Sequence, residues 1–501
     1  MVRRIASNLF VMPEATALQV LAACSILSVT LYALLFVTTA NLIAWYSTPL
    51  LDLLRILKED PNAQWRLAIG FMLLSGLYLL GWHALQHIHT PAGVRTAWIL
   101  LIGGAVLSAL VLLYLYPLDA ADIFDNILHG RITGIYGGNP FHQLIIQYKS
   151  DPFFNYAAWK YAPSAYGPAW ELLAGLTARL AGNGVVSNII AFKLLSGIFL
   201  LLSGAVVADF LRQAAPERAM LGVWLLVMNP VVLYETLGNG HNDMAMAFWM
   251  ILAAWMIYEQ AYTRAVLFLV IGGLFKYIPW LLIPAAAWIA LRSLKTARER
   301  IRFLAVTAVA GSALLVILFA PFWEGLSTLS ITRRQDMFTT SFASILYHFV
   351  QPVIGQNLSV ALLSWGMLGL TVIFTLWQAW SAGKERSWLS FTRASLNTII
   401  FYLLVTCPWF QQWYPVWLVG LAALLPAGLD QGLGLWIGFA SLTKPLIFGP
   451  LVYLQNPPDP LPWLELRLSA GVMALSWLAA WWVLWQKRKM KRERAIPSIP
   501  L

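Results

Sequence analysis

Between Leu118 and Pro168 an otherwise apolar chain gathers Asp119-Ala-Ala-Asp122-Ile-Phe-Asp125, then His129-Gly-Arg131, then Gly137-Gly-Asn139-Pro-Phe141, and closes on Tyr166-Gly-Pro168. Carboxylates are costly to strand in lipid, so this polar loop belongs at a water interface or in a wet cavity. A carboxylate there can take a proton from a hydroxyl, and Arg131 can meet an anion. The plain alternative is that Asp119 or Asp122 caps a helix after Pro117, since Asp is a favoured N-cap. One cap accounts for one carboxylate, not for three followed by His129, Arg131 and Asn139.

Other segments carry comparable groups. Gly238-Asn239-Gly240-His241-Asn242-Asp243 joins an imidazole to a carboxylate within one turn, although Gly and Asn also suit a turn whose Asn242 or Asp243 caps the next helix. Two ligand types in one turn are a weak zinc signal without a third partner, and no metal or other cofactor is expected. Lys276 sits within an apolar segment, where a lysine marks a functional site unless it snorkels to the interface. Trp409-Phe-Gln411-Gln412-Trp413-Tyr414 reads as an interfacial aromatic belt, with Gln411 and Gln412 adding polar-ligand character. Arg333 and Arg334 fit a solvated loop equally well. The His83, His87, His89 group is a weak metal candidate at a cytoplasmic helix end.

Helices must position these groups. The 501 residues are 60% hydrophobic and 11% charged, against roughly a quarter charged in soluble domains. Apolar stretches near the roughly 20 residues a membrane helix needs run at Leu18–Ala44, Leu67–Leu85, Val94–Tyr116, Ile189–Phe210, Phe303–Trp323, Leu358–Trp380, Leu433–Leu454 and Leu466–Trp485. The expected fold is an all-α polytopic transmembrane bundle of about 12–14 membrane segments, some short or broken, forming one unit over residues 1–501. Its two thiols, Cys24 and Cys407, lie in apolar segments and make no disulfide framework.

The net charge of +11 is concentrated in Arg292, Lys295, Arg298, Arg300, Arg302 and a basic tail over residues 487–501. These are cytoplasmic anchors rather than a nucleic-acid surface. With Arg3 and Arg4 inside, ahead of an uncleaved first helix, three crossings bring residues 117–187 to the outer face. Ala169–Ala181 is too short to cross and reads as an interfacial half-helix within that loop. The segment 265–291 starts and ends inside, so it reads as a broken hairpin with Lys276 near its tip and Pro279 breaking the helix. A second broken pair, 395–408 and 412–426, puts Trp413 and Tyr414 at an outer turn. Every unusual polar cluster then faces outward.

An outer site of carboxylate, cations and aromatic rings at the membrane border suits a sugar carried on a polyprenyl phosphate. Phosphate is already a good leaving group, so one carboxylate acting as base on an acceptor hydroxyl suffices for an inverting displacement. Lys276 or Arg131 would stabilise the charge growing on the phosphate. A glycosidase would instead need a paired acid and base. The rival is a transporter or flippase of a lipid-linked sugar, since transporters also break helices near their binding sites.

Pro117 to Phe141, with Asp122-Ile-Phe and His129-Gly-Arg131, resembles the first outer loop of the polyprenyl-phosphate-mannose-dependent mannosyltransferases. These are bacterial α-1,6-mannosyltransferase-like proteins of the GT-C class. Ser164-Ala-Tyr166-Gly-Pro168, Asn229-Pro230, Gly238–Asp243 and Trp413-Tyr414 fit the same pattern, over roughly residues 95 to 425. The resemblance implies a multi-pass enzyme of the cytoplasmic membrane, working at its outer face on a polyprenyl-phosphate donor and a glycan or glycolipid acceptor, without a metal. It also makes Asp122 the catalytic base, with Asp119 in reserve. Arg131, Asn139, Tyr166, Asn239, His241, Asn242, Asp243, Lys276, Gln412, Trp413 and Tyr414 are the expected substrate contacts.

Overall fold

The computed structural model describes residues 12–50, 53–118, 121–329, 337–444 and 461–495. Asp119, Arg333 and Arg334 lie outside them. Among the described residues every regular element is helical, and the two isolated β-bridges, Asn41–Leu115 and Thr339–Trp409, merely tie loops together. Among the described residues seven helices are long and apolar enough to cross a membrane: α1 (Glu14–Val37), α2 (Ala63–Leu85), α3 (Pro91–Leu112), α6 (Val185–Ala214), α11 (Ala297–Phe322), α13 (Gln356–Glu385) and α14 (Trp388–Thr406). A bent pair, Pro216–Val227 and Pro230–Gly238, makes an eighth. The expected all-α polytopic bundle, with some of its segments short or broken, is therefore observed.

Several of these segments are short or broken. The bent pair turns by 46° at Asn229-Pro230. Pro230 cannot extend the preceding helix, and Asn229 caps the new one by accepting from the amides of Val231 and Val232. Its first limb, Ala219–Val227, is α7. Past Gly238 the chain turns through Asn239–Asn242 into the short helix α8 (Asp243–Tyr258).

The expected broken hairpin around Lys276 is present as α9 (Tyr262–Gly273) and α10 (Ile283–Ser293), with Lys276 in the turn between them. The first limb of the second expected pair is instead continuous from Trp388 to Thr406, and only Val416–Ala422 (α15) is short. A helix absent from the sequence expectation, α12 (Phe342–Ile354), precedes α13. Leu429–Ser441 (α16) and Leu461–Ala495 (α17) complete the described chain.

The polar loop is itself largely helical. Asp122–Gly134 forms α4, opened by two acids, Asp122 and Asp125, in the first turn, where the helix dipole favours them. The expected half-helix is α5 (Pro168–Ala181). The two pack so closely that a Cβ on Gly130 would lie 2.5 Å from the Ala174 carbonyl oxygen, and one on Gly134 2.0 Å from that of Gly175. The glycine of His129-Gly-Arg131 is thus a packing requirement.

Candidate active site

Asp122, Tyr166, Lys276, Trp409, Trp413 and Tyr414 line one cavity of about 190 Å³, with Ala165, Tyr402, Cys407 and Pro408 completing its wall. Four separate stretches of chain converge here, and each is aimed by a local device. Asp122 is held at the start of α4, and its Oδ2 lies 3.4 Å from the Tyr166 hydroxyl. Tyr166 sits on the approach to α5, where the amides of Gly167 and Ala169 donate to the carbonyls of Phe275 and Leu274. A Cβ on Gly167 would be 2.0 Å from the Leu274 oxygen, so glycine permits this docking. The Tyr277 hydroxyl donates to the Tyr166 carbonyl at 3.3 Å. The α5 entry and the Lys276 turn are therefore clipped together, which fixes the carboxylate side of the cavity relative to the ammonium.

Lys276 Nζ lies 2.7 Å from Asp243 Oδ1 at the start of α8, and Trp417 Nε1 donates to the same oxygen at 2.5 Å. The rings of Tyr414, Trp417 and Tyr166 surround the ammonium at 4.9, 5.2 and 5.7 Å. Such a cage holds a cation through ring quadrupoles while leaving its hydrogens able to meet an anion.

Behind this wall, the His241 ring stacks on Trp413 at 3.9 Å. Its Nε2 stands 3.5 Å from Glu235 Oε2, which accepts from Asn239 Nδ2 at 2.9 Å. Burial, aided by the Lys276 charge, holds His241 well below its ordinary pKa, so the ring is neutral. Asn239 also accepts from the Leu118 amide at 3.1 Å, tying the Gly238–Asp243 turn to the root of the polar loop.

Of the expected substrate contacts, Tyr166, Lys276, Trp413 and Tyr414 reach the cavity wall. His241, Asp243 and Asn239 stand behind it as supports. Asn242 and Gln412 are buried away from the wall: Asn242 Oδ1 has no hydrogen-bond partner, and the Gln412 carbonyl accepts from Ser441. Arg131 is 2% exposed and engaged elsewhere, with Asp151 at 2.7 Å, the Gly182 carbonyl at 2.8 Å and Asn183 at 3.0 Å. Asn139 donates to the Phe322 carbonyl and to Glu324, fastening the loop to the end of α11. Asp125 accepts from the amides of Ala158 and Trp159 and Asp151 pairs with Arg131, so of the three described loop aspartates only Asp122 lines the cavity.

Sequence reasoning did not single out Trp417, Tyr402, Glu235 or Glu171. Glu171 is fully buried in the first turn of α5, receives the Ser164 hydroxyl at 2.5 Å, and has its pKa raised by burial to about 7. An acid in the first turn after Pro168 was its only signal, and an ordinary helix start gives the same one.

Beside the polar cavity lies a second space of about 350 Å³ with nearly all-apolar walls, including Ile278, Leu281, Phe338, Leu363, Met367 and Leu368. Tyr402 and Pro408 belong to both, so an apolar groove adjoins the site that holds Asp122 and Lys276.

A family model described as the N-terminal domain of alpha-(1->6)-mannopyranosyltransferase matches residues 20–292, which include Asp122, Asp243 and Lys276 but not Trp413 or Tyr414. Alpha-(1->6)-mannopyranosyltransferase A of Mycobacterium tuberculosis is 22% identical over 275 residues, 51% of this chain and 52% of that protein. The protein of the same name from Corynebacterium glutamicum is 19% identical over 188 residues, 36% of each chain. The chain thus spans about half the length of the first of these relatives and about a third of the second.

Proposed function

The chain belongs to the alpha-(1->6)-mannopyranosyltransferase family, and from that premise we propose that it is an integral-membrane mannosyltransferase. It moves a mannose from a polyprenyl-phosphate donor to an extracytoplasmic glycan or glycolipid, with inversion. The observation that carries this is the pairing of one cavity holding Asp122 and Lys276 with an apolar groove that shares its Tyr402 and Pro408 walls. A polar head on a long hydrocarbon chain needs those two environments side by side.

Asp122 is the base. It accepts the proton of the acceptor hydroxyl as that oxygen bonds to the anomeric carbon, while the bond from that carbon to the phosphate oxygen breaks. The phosphate departs with the electron pair, opposite the incoming oxygen, which inverts the centre. Lys276, caged by rings and already fixed by Asp243, meets the negative charge accumulating on the phosphate without having to reorganise. Tyr166 steadies Asp122, and Trp413 and Tyr414 offer ring faces to the sugar. The neutral His241 stacked behind Trp413 fixes the orientation of that indole.

The test supplies purified protein in liposomes with labelled mannose on polyprenyl phosphate or on a nucleotide, plus a glycolipid acceptor. Label should enter the acceptor from the lipid donor alone. Transbilayer flux of intact donor without covalent transfer would instead make the protein a transporter.

A further inference from the structure

We infer that Glu171 is a positioning residue of the transfer site: through Ser164 and the Tyr166 backbone, its buried carboxyl group holds the Tyr166 phenol against Asp122. The inference rests on the transfer mechanism proposed for Asp122, and it concerns a residue outside the cavity wall.

Glu171 is fully buried, and its Oε2 has no hydrogen-bond partner. Among the described residues no cation pairs with it, and Ser164 is the group that bonds it. A buried carboxyl group so poorly matched is a net cost to the fold, and an apolar side chain of similar volume would serve packing better. What Glu171 does accomplish is directional. The Ser164 hydroxyl donates to Glu171 Oε1, which turns the Ser164 oxygen's lone pairs toward the Tyr166 amide at 3.1 Å. The Tyr277 hydroxyl holds the carbonyl of the same residue. Tyr166 is thus gripped at both backbone groups, and its phenol oxygen lies 3.4 Å from Asp122 Oδ2. Without the Glu171 acceptor the Ser164 hydroxyl is free to rotate, and one of the two grips on Tyr166 loosens. A small displacement of a reacting group costs rate far more than it costs affinity.

Three variants test this: Glu171→Gln, which keeps an oxygen for Ser164, Glu171→Leu, which removes it, and Ser164→Ala, which breaks the link from the other side. Glu171→Leu and Ser164→Ala should lower kcat by about tenfold to a hundredfold, with donor KM within about twofold. Glu171→Gln should recover most of the rate, and the Glu171→Leu/Ser164→Ala double variant should be no slower than the slower single, because both remove one link. Hydrogen–deuterium exchange at the Tyr166 amide should quicken in Glu171→Leu and Ser164→Ala and stay slow in Glu171→Gln. That readout needs no turnover, so it judges Glu171 even if the wild type transfers no sugar, a failure that would count against the transfer mechanism alone. Unchanged Tyr166 exchange in both Glu171→Leu and Ser164→Ala, or a Glu171→Gln variant as slow as Glu171→Leu, overturns the assignment.

Discussion

Lys276 and Asp243, on different helix breaks, meet at 2.7 Å where Asp243 is nearly buried and Lys276 still faces the cavity. One carboxylate oxygen serves both the ammonium and the Trp417 indole, so the pair is a fixed strut as well as a source of charge.

That double role separates stability from catalysis. Removing one partner of a buried pair leaves an uncompensated charge and costs about 3–5 kcal/mol, whereas removing both costs less. Lys276→Met and Asp243→Asn should each lower the melting temperature, and the double variant should recover part of the loss. Transfer should fall by about a hundredfold or more in every variant lacking the lysine, the scale expected when a preorganised charge stabiliser is deleted. Melting curves set beside transfer rates decide the matter, and a double variant that regained activity would remove Lys276 from the chemistry.

Arg131 should behave in the opposite way. Its guanidinium joins α4 to Asp151 and to the α5–α6 turn, outside the cavity. Arg131→Met should destabilise the protein by about 3–5 kcal/mol, while the fraction that remains folded keeps its donor KM. Thermal unfolding together with kinetics normalised to folded protein tests this, and a selective rise in donor KM would count against it.

The contrast between Asp122 and Arg131 also explains how much the sequence could reveal. Both were legible as unusual polar residues in an apolar chain, but residue type carries no direction. Once Asp122–Gly134 is known to be helical, nine positions at about 100° each place the two on opposite faces. Lys276 was legible in position as well as type, because flanking basic residues and Pro279 demanded a break at that point. Glu171 and Trp417 were hidden, since an acid at a helix start and a tryptophan in an apolar run are ordinary. Only the docking of Tyr166 to the Lys276 turn, a contact between distant segments, gives them meaning. Asn229-Pro230 is visible in the sequence, but the size of the bend it makes is not.

The apolar groove predicts a dependence on chain length. Met367→Trp should fill part of the space between Leu363 and Leu368 and raise KM for long-chain polyprenyl donors by about tenfold, the loss of roughly two buried methylene groups. Donors with one or two isoprene units should be unaffected. Equal effects on both donor lengths would mean that the chain lies elsewhere.

Glu171 gives stability a definite pH sense. Its pKa is raised by burial from an ordinary carboxyl value to about 7, so the folded state holds a proton that the unfolded chain has released. This contribution is complete at pH 4.5 and below, and it is lost as the pH rises to 7. The melting temperature of wild-type protein should therefore decline between pH 5 and pH 7 relative to Glu171→Gln, which has no proton to lose. Parallel curves for the two proteins would contradict it.

The central claim is that Asp122 takes the acceptor's proton, and the turnover of Asp122→Asn at saturating lipid-linked mannose and acceptor tests it most directly. An amide preserves the shape and the contact with Tyr166 but cannot accept the proton. The account predicts a fall in kcat of about a hundredfold to ten-thousandfold with donor binding and melting temperature close to wild type. An Asp122→Asn protein that turned over as fast as wild type would contradict it.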